Sequence, residues 1–200
     1  MRSKWLIVLL SIAIAQGIDK NRPKFSPGPV TDYSCRQTND KVTLAARPFI
    51  TEEAAQPAFG KLNPYRHGVL PILVIVQNDS EQTLALDGMR VEFITADRER
   101  VEATPAADIR FLSGPRKPSL TPGPIPGRVP RVSRNKNPLN AWEIEGRAFS
   151  ARMLPAKESA SGFFYFQATY RGGSRLYVTG MREASSGKEL LYFELPLDTK

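Results

Sequence analysis

Side chains that commonly carry enzyme chemistry are scarce in this sequence. The chain of 200 residues has one histidine, His67, and one cysteine, Cys35. That pair cannot build a structural zinc site, an iron–sulfur site or an internal disulfide. A Ser-His-Asp or Cys-His arrangement would have to use His67. This residue sits in the turn-like run Asn63-Pro64-Tyr65-Arg66-His67-Gly68 and reads as a solvated loop histidine. No G-x-S-x-G, P-loop, G-x-G-x-x-G, H-E-x-x-H or Cys-x-x-Cys pattern occurs. The remaining catalytic option is a pair of carboxylates, Glu52 with Glu53 or Glu143 with Glu145. Glycosidases need two carboxylates across a cleft, and nothing here marks one. The expectation is a non-enzyme with no cofactor and no metal. Cys35 reads as an idle thiol, with an intermolecular disulfide or a reactive thiol as the alternative.

The residues that could bind rather than react are basic. Residues 113–138 hold seven of the 17 prolines, three glycines and six cations: Arg116, Lys117, Arg128, Arg131, Arg134 and Lys136. No acid occurs from Ile109 through Ala141. Prolines prevent strand pairing, so the segment reads as a long, flexible loop inserted in the domain. Six cations on such a loop are candidate anion-binding residues for a polyanion, because each anionic group contacted releases counterions. The alternative is a solvated insertion.

Residues 1–15 read as a secretory signal. Arg2 and Lys4 precede an apolar run from Trp5 to Ile14, and Ala13-Ile14-Ala15 offers a cleavage site. The run is about half the roughly 20 residues that span a bilayer. The expected location is secreted or periplasmic, with no transmembrane span after cleavage; an uncleaved anchor is the alternative. The net charge is +8, and loss of Arg2 and Lys4 leaves 26 cations against 20 anions, or +6. Such a protein is expected to meet an envelope protein or an anionic envelope polymer rather than nucleic acid.

These residues need elements to position them, and the pattern is that of an all-β domain over residues 41–200, behind a disordered tail at 16–40. Val42, Leu44 and Ala46 alternate with polar or small residues. Thr51 should cap one turn of helix that Pro57 limits. Val69 to Val76 reads as a central strand buried on both faces. Asn78-Asp79-Ser80 matches a glycosylation pattern but is read as a turn. Short strands around Leu84 and Val91 follow at the spacing of a sandwich or barrel. Residues 139–154 suggest a short helix or bent segment that plugs one end of the core.

Three strands close the chain, at 163–170, 175–182 and 188–197, and their turns predict an antiparallel meander. Tyr170 should pair with Leu176, Ala168 with Val178, and Phe166 with Gly180. Val178 should then pair with Leu195, Gly180 with Phe193, and Arg182 with Leu191. Gly180 would make room between Phe166 and Phe193. The outer face would carry Phe163, Tyr165, Tyr177, Met181, Leu190 and Tyr192, which is more apolar than a solvated face should be. Either another segment covers this face or it is a partner surface.

Two stretches carry a family resemblance. Phe59-Gly60 followed by Gly68-Val69-Leu70-Pro71-Ile72-Leu73-Val74-Ile75-Val76-Gln77-Asn78-Asp79-Ser80 is one, and Leu154-Pro155-Ala156-Lys157-Glu158-Ser159 before Gly162-Phe163-Phe164-Tyr165-Phe166 is the other. Together they resemble exported bacterial immunoglobulin-like β-sandwich proteins of uncharacterised function. The resemblance implies an immunoglobulin-like antiparallel β-sandwich and an envelope location, and it carries no catalytic residue. The expected function is an exported binding or interaction module of the cell envelope. The alternatives are an accessory subunit docked permanently in an envelope complex, and a carboxylate-based hydrolase.

Overall fold

The computed structural model describes residues 25–112 and 137–198. The expected leader at 1–15 and all six candidate anion-binding residues, Arg116, Lys117, Arg128, Arg131, Arg134 and Lys136, lie outside the described residues. The described chain is mostly antiparallel β-structure with a few short helices.

Two four-stranded sheets face one another. The first has the order β1 (Arg36–Asn39), β2 (Val42–Pro48), β3 (Leu70–Asn78) and β8 (Ser159–Phe166). The second runs β11 (Phe193–Pro196), β9 (Arg175–Thr179), β5 (Arg90–Ile94) and β6 (Arg100–Glu102). A small third sheet joins β10 (Arg182–Glu183), β4 (Leu84–Ala85) and β7 (Met153–Leu154).

The expected central strand explains the layering. Leu70, Ile72, Val74 and Val76 of β3 join Val91, Phe93, Leu176, Val178, Phe193 and Leu195 of the second sheet in one core. Leu73 and Ile75 point the opposite way, into a second core with α1 (Glu52–Phe59) and α3 (Trp142–Gly146). A strand covered on both faces needs apolar residues at every position, which is why the run shows no alternation. The first sheet is therefore a middle layer, with the second sheet on one side and a helical cover on the other.

Local chemistry sets the cover. Thr51 Oγ1 accepts the Ala54 N–H at 3.2 Å, and Glu52 and Glu53 occupy the first turn of α1. The helix does not stop at Pro57 as expected; it runs to Phe59. Proline removes one N–H donor, yet burial of Ala55, Ala58 and Phe59 against the sheet holds the last turn. Asn78 forms the expected turn, its Oδ1 accepting from the Ser80 N–H and hydroxyl. Its fully buried amide also donates to the carbonyls of Gln82, Leu154 and Pro155, which tie the end of β3 to β7.

The expected disordered tail differs in its second half. Arg36–Asn39 is β1, paired with Arg36 opposite Ala45 and Asn39 opposite Val42. Its side chains also close one edge of the sandwich: Gln37 Oε1 accepts the Glu194 N–H at 2.8 Å, and Asn39 Nδ2 donates to the Tyr192 carbonyl at 2.9 Å. Phe25 packs on Phe49 and Phe163 with ring centroids 6.0 and 5.6 Å apart. A short polar strand with prolines before it looks like a tail because no apolar alternation marks it, although its ladder partners Val42–Ala45 follow directly.

The expected meander is also corrected. β8 pairs with β3, with Leu70 opposite Phe166 and Leu73 opposite Phe163, and it does not pair with β9. β9 lies between β11 and β5 in the other sheet. β9 and β11 do pair, but Val178 faces Phe193 and Leu176 faces Leu195, two residues away from the expected register. An even slip keeps every side chain on its face, so alternation cannot detect it. The same register continues past Gly180 to Glu183 opposite Lys188, so the shift is made at the turn, while Gly180 marks a local change of face. There φ is +79°, and an added Cβ would collide with the Gly88 carbonyl oxygen. Gly180 therefore serves a backbone contact, not two rings, and Arg182 bridges to Glu189 rather than to Leu191.

Candidate functional site

The row expected as a partner surface is mostly interior. Phe163 and Tyr165 are 2% and 1% exposed, held under α1, α3, Phe49 and Leu139. The Tyr165 hydroxyl donates to the Ile144 carbonyl at 2.8 Å, and burial raises its pKa above the ordinary phenol value. Met181 and Leu190 belong to the sandwich core, because the change of face at Gly180 turns them inward. The 139–154 segment thus supplies part of the cover, through Leu139, Ile144 and Ala148. Of the six candidates, only half-buried Tyr177 and exposed Tyr192 remain on a surface.

That surface is the outer face of the second sheet. Alternation along β5, β6 and β9 sends Val91, Phe93, Leu176 and Val178 inward and leaves Glu92, Arg100, Arg175 and Tyr177 outward. Tyr177 and Tyr192 lie with ring centroids 5.5 Å apart. The Arg100 guanidinium sits 5.0 Å from the Tyr177 centroid and 2.8 Å from Glu92. Arg175 and Glu194 pair across the strands at 2.6 Å. Exposed ion pairs of this kind contribute about 0–1 kcal/mol each, so they can be reorganised by a ligand at small cost. A cation stacked on an aromatic ring contributes about 0.5–1 kcal/mol at an exposed site.

A cleft of about 610 Å³ opens at one edge of the sandwich. Its walls include Val91 of β5 and Phe164 of β8 with Met89 and Phe149 beside them, and Glu92, Glu102 and Thr104 are among its polar residues. Phe149 and Phe164 are stacked, with centroids 5.4 Å apart.

Neither carboxylate pair lines this cleft. Glu52 bonds Arg66 at 2.7 Å, while Glu53 has its pKa lowered by the backbone N–H and the Thr51 hydroxyl at the helix start. Glu145 faces Arg110 at 3.8 Å on a different helix. His67 is an exposed residue of the 3-10 turn Pro64–His67. Cys35 is a free, half-buried thiol 3.6 Å from the Asp198 carbonyl. Among the described residues no group of three or more His, Cys, Asp or Glu is placed to hold a metal ion. No helix among them is long and apolar enough to cross a membrane.

One feature escaped the sequence reading. α2 (Ile109–Leu112) presents Phe111, 67% exposed, and Leu112, while α3 presents Trp142, 39% exposed. Gly146 lies under the indole, where a Cβ would crowd the Trp142 ring. The available signal was Phe111-Leu112, an apolar pair placed directly before the proline-rich stretch.

No family model matches the chain, and no curated protein matches it. Among solved structures, a functionally unknown protein from Listeria monocytogenes EGD-e is similar at TM-score 0.38 and 15% identity, covering 84% of this chain and 83% of that one. A protein of Bacillus subtilis subsp. subtilis str. 168 named "putative lipoprotein (ycdA)" is similar at TM-score 0.40 and 13% identity. That similarity covers 83% of this chain and 39% of the other.

Proposed function

We propose that this chain is an exported, non-enzymatic, immunoglobulin-like sandwich module that binds a partner in the bacterial cell envelope. The strand order supports the immunoglobulin-like reading. β2-β3-β8 faces β11-β9-β5-β6, which corresponds to strands A-B-E against G-F-C-C′, with β1 added beyond the A position. The leader-like residues 1–15 and the +6 charge of the remainder support export and an envelope setting.

The observation that carries the binding role is the open face of the second sheet. The first sheet has both faces in apolar cores, whereas the second leaves Tyr177, Tyr192, Arg100 and two rearrangeable ion pairs to solvent. Aromatic rings with arginines beside them recur at interface hot spots, because they combine apolar area with directed hydrogen bonds. Leu191, 65% exposed beside Tyr192, supports the second reading, a subunit docked permanently in an envelope complex.

Crosslinking in intact cells followed by pulldown tests both. The parent should capture one or more envelope components, and Tyr177→Ala with Tyr192→Ala should lose them while keeping the thermal midpoint. Capture that persists through purification without a crosslinker supports the docked subunit. Unchanged capture by the double variant overturns the open face as the binding surface.

A further inference from the structure

We infer that Arg98, Arg100 and Arg175 bind a phosphate group at one end of the open face of the second sheet, which rests on reading that face as the binding surface and adds the chemistry of the group bound. The three arginines are exposed and line one cleft of about 430 Å³, with Ile94, Gly173 and Glu194 among its other residues. That lining holds three cations against one anion, a surplus of two. Such a surplus favours an anionic occupant.

Register explains why they meet. Arg100 of β6 and Arg175 of β9 both lie opposite Ile94 of β5, one on each side. Neighbouring strands are about 4.8 Å apart, so the two backbones flank Ile94 at about 10 Å, a gap that two arginine side chains can close on one small anion. Arg98 arrives from the turn between β5 and β6. There the Thr95 N–H donates to the Glu99 carbonyl and the Arg98 N–H to the Thr95 carbonyl, both at 2.9 Å, with φ of +67° at Arg98. The left-handed position of such a turn favours Gly or Asn, so an arginine there gives up local stability. Gly173 adds no side chain to the cleft, and its N–H already donates to Asp198 Oδ1 at 3.0 Å. The arginines must supply the donors.

Those donors are available. Arg100 and Arg175 each commit Nη1 to a carboxylate, Glu92 at 2.8 Å and Glu194 at 2.6 Å, and keep Nε and Nη2 for a ligand. Arg100 also rests 5.0 Å from the Tyr177 ring centroid, and a guanidinium stacked by its face still offers its edge. Arg98 forms no ion pair among the described residues. A phosphate group presents three outer oxygens to three such forks, whereas a carboxylate has only two oxygens, which is why phosphate is the favoured ligand.

Inorganic phosphate titrated into the full chain, read by NMR at the arginine Nε–H groups, is the test. Arg98, Arg100 and Arg175 should shift together and saturate, and high salt should reverse the response. Acetate at matched ionic strength should not saturate. Arg100→Ala and Arg175→Ala should each weaken the affinity by about fivefold or more. Arg98→Gly should weaken it as much while the thermal midpoint stays equal or rises, because glycine adopts that φ without strain. Arg98→Lys keeps the charge without the fork and should recover only part of the affinity. Glycerol phosphate and phosphatidic acid vesicles distinguish a soluble or polymer phosphate from a lipid headgroup, and binding of either through these three arginines supports the assignment.

Three outcomes overturn it: no saturable shift with phosphate, an equal response to acetate, or an affinity that Arg98→Gly leaves unchanged. Capture from intact cells separates these from the wider reading of the face. If the parent binds no phosphate yet Tyr177→Ala with Tyr192→Ala loses its partner, the phosphate cleft is wrong and the face reading stands. If the three arginines bind phosphate yet the tyrosine double variant captures as the parent does, the cleft stands and the tyrosines are not the partner surface.

Discussion

The two sheets of this protein share one core and differ in what lies behind them. Behind β3 and β8, Leu73, Ile75, Phe163 and Tyr165 meet a helical cover. Behind β5 and β9, Glu92, Arg175, Tyr177 and Thr179 meet solvent. The difference is written in side-chain chemistry at alternate positions. It predicts that substitutions behind the first sheet are felt as lost stability, while those behind the second are felt, if at all, as lost binding.

The largest expected effect is at Phe163. It contacts Phe25, Phe49 and Phe59 at centroid separations of 5.6, 4.9 and 4.8 Å. Phe163→Ala should cost about 3–5 kcal/mol, as truncation of a buried aromatic ring does. Urea denaturation should show a lower midpoint. A loss below about 1 kcal/mol would mean that the cover is not a true core and that the two sheets are alike.

Next is Asn78. Asn78→Ala removes donors to three carbonyls in a buried site and should cost about 1–3 kcal/mol. The same measurement tests whether β7 and the end of β3 act as one unit. Asn78→Asp should not rescue, because a carboxylate cannot donate to those carbonyls.

Tyr165→Phe is smaller and depends on pH. Loss of its hydrogen bond to Ile144 should cost about 1 kcal/mol near neutrality. Burial raises this phenol above its unfolded value of 10.0, so the native state holds its proton while the unfolded state loses it. Its contribution is complete below that value and declines as pH rises past it. Tyr33 shifts in the same direction, also chiefly through burial. Stability should therefore fall in alkali, and Tyr165→Phe should flatten part of that fall. An unchanged alkaline slope would show that Tyr165 ionises as freely in the fold as outside it.

How much of this was legible follows from what alternation reports. It reports which side of a strand is dry, and it places Val42, Phe166 and Val178 in the interior. It cannot say whether two inward residues are neighbours along one sheet or face each other across a sandwich. Phe166 and Val178 share a core from opposite sheets, so the expected pairs Phe166 with Gly180 and Ala168 with Val178 do not form. The turn at Gly172-Gly173-Ser174 looked like a hairpin because a crossing between sheets uses the same residue types. Gly180 was legible as special, but its reason was a backbone approach by Gly88 that no local pattern contains. The partner surface failed because an apolar row has the same appearance whether a ligand or the chain's own helices cover it.

The smallest stability effect should be at Tyr177, and it sharpens the comparison most. Tyr177 lies on the same sheet as Phe93 and Val178, one residue from the core in either direction, yet its ring rests on Tyr192 and under Arg100. Tyr177→Ala removes an exposed aromatic contact and one cation–π pair, together worth roughly 1 kcal/mol or less at an exposed site. Thermal denaturation should therefore barely move, in contrast to Phe163→Ala. The ion pairs beside it, Arg100–Glu92 and Arg175–Glu194, should survive, because each is closed by partners other than Tyr177. If the face binds a partner, capture from intact cells should still fall sharply, since hot-spot energies concentrate in such aromatic anchors. A Tyr177→Ala protein destabilised as much as Phe163→Ala would mean that the second sheet also has a buried outer side. The asymmetry between the sheets would then be false, and with it the case for an open binding face.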